Sequence, residues 1–404
     1  VTAEQLLLIP SALLAAGWAW QAFVALRGLP KLPDLTRLEL ISSPTCSDLT
    51  AENGHPDLTV IVPACNEENA ITATLTALLA SSGVRLQIVA VDDRSTDSTG
   101  TLIDLVAAAT SAKPGPHTLE VIRNRDLPPG WLGKPHALSL GLARARAPWL
   151  LFTDGDIRLD PNTAALALQY VTAEHADHLV LLFSLELKTA MEAAVFAVFQ
   201  ALASWNLHLW KVADPKSKAF FGAGGFNLVR REVLDQLGGM DPLRMEVAED
   251  LRLGWMIKRA GFRQRVAVGQ GLVKIRWIEG ALGIVGLLEK NGFAGMRYRL
   301  DVALLAFFGL GVQIILPLAA IACGGWGAAA GLATYAFIGL AFVANRKVTQ
   351  VAPWTAVLFA PATTVFLFAL MRSVLLTLLR GGVAWRGTFY PLEELRRHAG
   401  RDWR

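Results

Sequence analysis

The sequence predicts an α/β domain, a parallel sheet covered by helices on both faces, held between N-terminal and C-terminal transmembrane helices. Three observations carry that reading. Short β-branched apolar runs alternate with helical patterns through the middle of the chain. Uncharged stretches long enough to cross about 30 Å of hydrocarbon lie towards both ends. Of the 404 residues 53% are hydrophobic and 18% charged, against about a quarter charged in an ordinary soluble domain. The same balance excludes a disordered chain, because so much apolar surface is available for burial. A net charge of +4 is too mild to argue for nucleic acid. Cys46, Cys65 and Cys323 are scattered and form no metal spacing, as expected of a reducing compartment without disulfides.

Residues 1–27 read as the first transmembrane helix, since Gln5 to Leu26 carries no charge. Glu4 stands where a secretory signal would have a basic region, so the segment reads as an anchor. Arg27, Lys31 and Arg37 follow, and the positive-inside rule puts the next segment in the cytoplasm. After a linker over 28–56, residues 57–275 read as one cytoplasmic domain. LTVIV (58–62) precedes a helix near 69–82, and LQIVAV (86–91) precedes one near 97–109. LEVI (119–122) and WLLFTD (149–154) flank a helix that starts near Lys134. Ligands of such sheets sit at the carboxyl ends of the strands, so the polar residues just after each run are the ones of interest.

Residues 189–211 are apolar nearly all round, which fits either an interfacial helix or a buried core helix. Residues 276–301 read as an interfacial, amphipathic segment carrying Glu289, Lys290 and Arg297. The C-terminal membrane region spans 302–380, with two to four helices. Its uncharged run from Val302 to Asn345 is split at Gly324, Gly325 and Gly327 and closed by Arg346 and Lys347. A further apolar stretch carries Pro353 and Pro361. A basic tail occupies 381–404. Beyond Leu370, seven arginines face three acids, a surplus equal to the whole net charge. Three full crossings would put that tail outside, against the positive-inside rule. Either the stretch around Pro361 turns back as a re-entrant hairpin, or one earlier span is not a crossing.

Four acidic sites follow one another along the central domain. VIVPACNEEN (60–69) turns through Asn66, Glu67 and Glu68 at the end of a strand, and VDDRSTDST (91–99) ends another with Asp92 and Asp93. Two adjacent carboxylates there are costly unless they bind something, although taken alone the stretch is better explained by Asp93, Ser95 and Asp97 shaping the turn and capping the next helix. In LLFTDGDIRLDP (150–161), Asp154 and Asp156 are separated by one glycine, a spacing that lets both face one hard cation. Glu249 and Asp250 open an amphipathic helix, where the helix dipole favours negative charge. His175 and His178 stand beside Asp177 without a third ligand and read as a solvated helix end.

The order of these sites resembles the family 2 glycosyltransferases: Asn-Glu, then Asp-Asp-x-Ser, then Asp-x-Asp, then Glu-Asp before an Arg-rich helix, over roughly 58–275. PPGWLGKPHAL (128–138) is similar to the Gly-Trp-x-Gly-Lys stretch of membrane-bound members that glycosylate lipids. FFGAGGFNLVRREV (220–233) resembles their glycine-rich acceptor loop, and EKNGFAG (289–295) their Ser-Lys-Asn-x-Phe-Ala-Gly stretch. VAWRGTFY (383–390) resembles the Trp-Lys-Gly-Arg-x-Tyr signature of hopanoid-associated and carotenoid-type lipid glycosyltransferases, with Arg386 and Thr388 as departures.

The resemblance implies a GT-A fold and inverting transfer of a sugar from a nucleotide sugar, expected to be a UDP-sugar, to a membrane lipid hydroxyl at a bacterial inner membrane. Pro63, Asn66, Glu67, Asp92, Asp93 and Lys134 would hold the nucleotide. Asp154 and Asp156 would hold Mg²⁺ or Mn²⁺, and Asp250 would be the general base. Gly224, Gly225, Glu249, Lys290 and Asn291 would face the acceptor. The Gln/Arg-x-x-Arg-Trp motif of processive synthases is missing, since Arg276-Trp277 comes too early, so one sugar per acceptor is expected. Two alternatives stay open: transfer to a polyprenyl phosphate, and a non-catalytic nucleotide-binding membrane adaptor.

Overall fold

The computed structural model describes residues 3–38, 55–113, 115–276, 279–280 and 282–398. Cys46, Trp277, Arg401, Asp402 and Arg404, with most of the 28–56 linker and the last part of the tail, lie outside the described residues. The chain opens with helix α1 (Ala3–Gly28) and enters the sheet domain at β1 (Leu58–Ala64). There follow α2 (Ile71–Leu79), β2 (Leu86–Asp93), α3 (Thr99–Ala112), β3 (Thr118–Asn124), α4 (Gly133–Arg144) and β4 (Trp149–Phe152). Next come β5 (Ile157–Leu159), α5 (Thr163–Ala173), β6 (His178–Leu182), β7 (Ser184–Leu185), α6 (Ala190–Ser204), β8 (Asn227–Arg230) and α7 (Arg231–Gln236). The domain ends with α8 (Glu249–Arg259), β9 (Gln264–Val268) and β10 (Val273–Ile275). Helices α9 (Gly283–Gly295), α10 (Leu300–Cys323), α11 (Gly325–Thr349) and α12 (Phe359–Arg380) lead to strands β11 (Gly382–Trp385) and β12 (Thr388–Pro391) and to α13 (Leu392–His398).

Every residue of β1 and β2 is buried. That is why both read as near-continuous apolar runs, the pattern of strands covered on both faces. The main sheet runs β3-β2-β1-β4-β8-β6-β9. It departs from the fully parallel sheet expected, because β8 lies antiparallel to both β4 and β6. The cause is its entry point: Asn227, where β8 begins, pairs with Phe152, where β4 ends. The chain thus reaches β8 along the carboxyl edge and must run back. A small second sheet, β5-β10-β7, flanks that edge.

The two largest apolar clusters among the described residues hold the sheet domain and the helices at the chain ends. One is the sheet core around Val60, Ile88, Leu151, Leu179 and Phe226. The other joins α1, α6, α9 and the C-terminal helices through Trp18, Val195, Phe196, Ile284, Phe359 and Phe366. Each large side chain fully buried in this way contributes about 1.5–3 kcal/mol. Of the two readings open for residues 189–211, burial is the one the fold realises for α6. Trp18 meets Trp205 edge-on at 5.6 Å, and Phe199 lies 6.1 Å from Phe366.

Among the described residues, four helical segments are long and apolar enough to cross a membrane: Gln5–Lys31, Leu300–Cys323, Gly325–Thr349 and Pro353–Arg380. Leu6, Ile9, Leu13, Leu305, Phe308, Val357 and Leu379 are exposed on them. So much outward apolar surface is unfavourable in water and matches hydrocarbon. His178 does not sit at a solvated helix end. It opens β6 fully buried, between Asn227 Oδ1 and Gln264 Nε2, the latter 2.7 Å from its Nδ1. Burial pushes its imidazole down to about 4.

Candidate active site

The carboxyl ends of β1, β2 and β4 and the start of α8 converge on one cavity of about 550 Å³. Pro63, Glu67, Asp93, Lys134, Asp154, Asp156, Gly224, Gly225, Glu249, Asp250, Lys290 and Asn291 all line it. Two of the expected residues do not. Successive side chains of a strand point to opposite faces, so when Asp93 faces the cavity, Asp92 faces away. Its carboxylate accepts from Arg123 Nη1 at 2.6 Å. Asn66 adopts φ 56°, and its Oδ1 accepts from Thr96 N at 2.8 Å, which ties the loops after β1 and β2 together. Asp93 accepts from Asn124 Nδ2 at 2.7 Å and from both ends of the Arg94 guanidinium at 3.0 and 2.9 Å.

Lys134, in the first turn of α4, organises the acidic cluster. Its Nζ lies 2.6 Å from Asp154 Oδ1 and 2.7 Å from Glu249 Oε1. Burial works against that ammonium, but Asp154 and Glu249 override it and hold its pKa well above the usual lysine range. Asp154 is lowered in turn, burial opposing and the Lys134 charge prevailing. Asp156 has no ion-paired cation among the described residues. Burial, then the charges of Asp154 and Glu67, push it up to about 7. Burial and the neighbouring Glu249 raise Asp250 to about 6, against the pull of a 2.7 Å hydrogen bond from Leu251 N. The adjacent acids of α8 are therefore inequivalent: Glu249 is ion-paired, and Asp250 is a carboxylate poised near neutrality.

The glycine-rich loop before β8 is held close for steric reasons. A Cβ on Gly222 would overlap the Asp250 carbonyl, and one on Gly254 would overlap the Phe221 carbonyl. Loop and helix therefore approach backbone to backbone. Gly224 faces the cluster itself, where a Cβ would come 2.6 Å from Asp154 Oδ2. Gln264 locks the loop from behind: its Oε1 accepts from Phe221 N at 3.0 Å and its Nε2 donates to Phe221 O at 3.0 Å.

Three cavity residues come from the far end of the chain, where the sequence motifs assign no roles. Trp385, Arg386 and Tyr390 of the β11–β12 hairpin line the cavity, and Arg386 donates to Cys65 O and to Glu67. No spacing rule connects positions more than 300 residues apart; only their place in the VAWRGTFY stretch marked them. Lys290 stands 3.8 Å over the Trp385 ring. Burial, then the Lys134 charge, lowers it to about 8. Away from the charges, the cavity is walled by Phe183, Phe196, Phe199, Leu207, Leu209 and Leu287.

Residues 55–270, more than half of the chain, match the family described as Glycosyltransferase like family 2. The chain belongs to this family. It is 31% identical over 107 residues to the succinoglycan biosynthesis protein ExoO of Rhizobium meliloti (strain 1021), covering 26% of this chain and 27% of that protein. It is 27% identical over 108 residues to the undecaprenyl-phosphate 4-deoxy-4-formamido-L-arabinose transferase of Shewanella sediminis (strain HAW-EB3), covering 26% and 30%. The family 2 chain thus spans less than a third of the length of these curated relatives. Among solved structures, the mannosyltransferase PcManGT of Pyrobaculum calidifontis, determined with GDP-Man and Mn²⁺, superimposes with a TM-score of 0.55 at 20% identity. That match covers 90% of this chain and 99% of the other, and it establishes the GT-A-like α/β fold.

Proposed function

We propose that this family 2 glycosyltransferase moves a single sugar, with inversion, from a nucleotide sugar to the hydroxyl of a membrane lipid of hopanoid, carotenoid or glycolipid type. One observation carries the reading: a single cavity has an acidic, lysine-bearing end at the strand edges and an apolar end walled by Phe196, Phe199 and Leu287 from helices of the membrane-side core. A lipid acceptor needs both ends, its tail in the apolar part and its hydroxyl at Asp250.

Asp250 accepts the proton of that hydroxyl as the hydroxyl oxygen bonds to the anomeric carbon, and the bond from that carbon to the diphosphate oxygen breaks. The nucleoside diphosphate leaves with the electron pair. A single displacement of this kind needs one base and no enzyme nucleophile. Pro63, Glu67 and Asp93 border the nucleotide, which we take to be that of a UDP-sugar, and Gly224 and Gly225 let backbone approach the sugar.

Asp154 and Asp156 fit Mg²⁺ or Mn²⁺ by the chemistry of their donor set, two hard carboxylates on either side of one glycine with only Asp154 paired to a lysine. No cluster of three or more potential ligand side chains exists among the described residues, so such an ion would draw its remaining ligands from phosphate and water. Bound there, the ion would offset charge developing on the leaving diphosphate.

The location that fits is a bacterial inner membrane with the catalytic domain on the cytoplasmic face. Arg27, in the last turn of α1, and Lys31, just after it, lie on the side where Lys347, at the end of α11, donates to Leu32 O at 2.6 Å. Such a cationic end is expected inside. On this reading α1, α10 and α11 cross, and α12 does not. Phe359, at the start of α12, packs 5.5 Å from Trp18 in the middle of α1, while the strand after α12 ends beside Cys65 and Glu67. A segment that begins at mid-membrane depth and ends at the active site turns back on the same face.

The test is transfer from a panel of radiolabelled nucleotide sugars by the full chain in native membranes, with mass analysis of the labelled lipid. A product stable to mild acid supports a lipid glycoside. A mild-acid-labile phosphodiester would favour the polyprenyl-phosphate alternative, an acceptor of the kind named for the Shewanella relative. Folded protein without transfer or nucleotide-sugar hydrolysis in Mn²⁺ would favour the non-catalytic adaptor.

A further inference from the structure

The chain after α12 forms a tight hairpin whose turn, Arg386-Gly387, has φ 48° and 77°. Two consecutive left-handed residues are what a two-residue hairpin turn of this hand requires. The hairpin is anchored at three points. Gly133 N donates to Tyr390 Oη at 3.2 Å, Arg94 Nη1 donates to Thr388 Oγ1 at 2.9 Å, and Arg386 Nη1 donates to Cys65 O at 2.6 Å. Those anchors belong to the start of α4 and to the loops after β2 and β1, the same edges that supply Lys134, Asp93 and Glu67.

The two cations at this wall are poorly matched. Lys290 has no hydrogen bond or ion pair among the described residues, only the face of Trp385 at 3.8 Å. Contact with a ring face returns less than it costs to desolvate an ion. Arg386 has one carboxylate, Glu67, and spends its other arm on a backbone carbonyl. An anion brought between Lys290 and Arg386 would satisfy both, and a diphosphate has the charge and the separate oxygens to do so.

We propose that the C-terminal hairpin is a wall of the donor site, and that Lys290 and Arg386 together grip the diphosphate of the nucleotide sugar. This rests on the nucleotide-sugar reading above and moves Lys290 from the acceptor to the donor. The donor site is then completed by chain that follows α12. The Trp385 ring, 3.8 Å from Lys290 Nζ, holds that lysine at the cavity wall.

The test compares Kd values for UDP and GDP with those for uridine and guanosine, using the full chain in nanodiscs with Mn²⁺. Lys290→Met and Arg386→Gln should each shrink the preference for diphosphate over nucleoside by about tenfold or more, the size of a charge-assisted hydrogen bond. Nucleoside affinity should stay within about threefold, which is less than the 1.4 kcal/mol of a tenfold change. Arg386→Lys should restore part of the preference. A merely structural role would weaken nucleoside and diphosphate equally, and that result overturns the proposal, as does an unchanged preference. Lys290 lies on α9, outside the hairpin, so its variant tests the grip even where Arg386→Gln unfolds the turn. If the unaltered protein bound no nucleotide at all, the nucleotide-sugar reading itself would fall, a result distinct from transfer that persists without the grip.

Discussion

Lys134 and Glu249 are joined by a 2.7 Å ion pair that ties the first turn of α4 to the first turn of α8. The same ammonium holds Asp154 at 2.6 Å, so one lysine spans two of the four acidic sites. The pairing divides labour between the adjacent acids of α8. Glu249 is paired with Lys134, and Asp250 is the acid we propose as the general base.

Replacing Asp250 with Asn keeps shape and removes basicity. Transfer should fall by about 10²–10⁴-fold, the usual worth of a general base. Nucleotide affinity, measured by calorimetry, should be nearly unchanged. Full activity in Asp250→Asn would exclude Asp250 as the base.

The rate should depend on pH in a direction set by Asp250, which burial and Glu249 raise to about 6. A base must be deprotonated, so kcat/KM should climb with rising pH up to about 6 and level off above it. The charged groups bearing on Asp250 are Glu249 on its own helix, Lys134 on α4 and Asp154 after β4. Glu249→Gln removes a like charge, which lowers the Asp250 pKa and should move the acid limb to lower pH. A limb that stays in place or moves upward would contradict this coupling.

Asp156→Ala should remove activity together with its dependence on Mg²⁺ or Mn²⁺. The measurement is transfer across a metal titration that includes EDTA. A variant still active in EDTA would reject a metal at Asp154 and Asp156.

Much of the fold was legible because its causes are local. β1 and β2 are buried along their whole length and so appear as near-continuous apolar runs, and a single glycine between Asp154 and Asp156 sets two carboxylates close together in sequence. The reversed direction of β8 was not legible, since it depends on the edge at which the chain re-enters the sheet. The cavity-facing Asp93 and the Arg123-paired Asp92 look alike in sequence, and only the strand's register separates them. Arg386 reaches Glu67 across 319 positions, and Gln264 reaches Phe221 across 43, contacts that only the tertiary fold creates.

Gln264 gives a prediction of that tertiary kind. Gln264→Leu leaves the Phe221 N–H and C=O without their side-chain partner, at a cost of about 1–3 kcal/mol for each buried group left unsatisfied. It also removes the partner of His178 Nδ1. The unfolding midpoint should fall, and kcat should fall more than nucleotide affinity, because the displaced loop is the one that packs on Asp250. A variant with unchanged kcat would show that this loop is positioned without Gln264.

The side on which the tail lies separates three full crossings after the sheet domain, which would put it outside, from an arrangement that keeps it on the domain's side of the membrane. Cysteine placed at Glu393, an exposed position two residues after β12, is the probe, and Trp326 at the α10–α11 turn is the comparison. The native Cys46, Cys65 and Cys323 are first replaced by serine. In intact cells an impermeant maleimide should label Trp326→Cys and spare Glu393→Cys, and inverted vesicles should reverse the pattern. The reason is steric: Arg386 can hold Glu67 only if the hairpin and the sheet domain share one side of the membrane. Labelling of Glu393→Cys from outside would mean that α12 crosses, and would remove the tail from the active site.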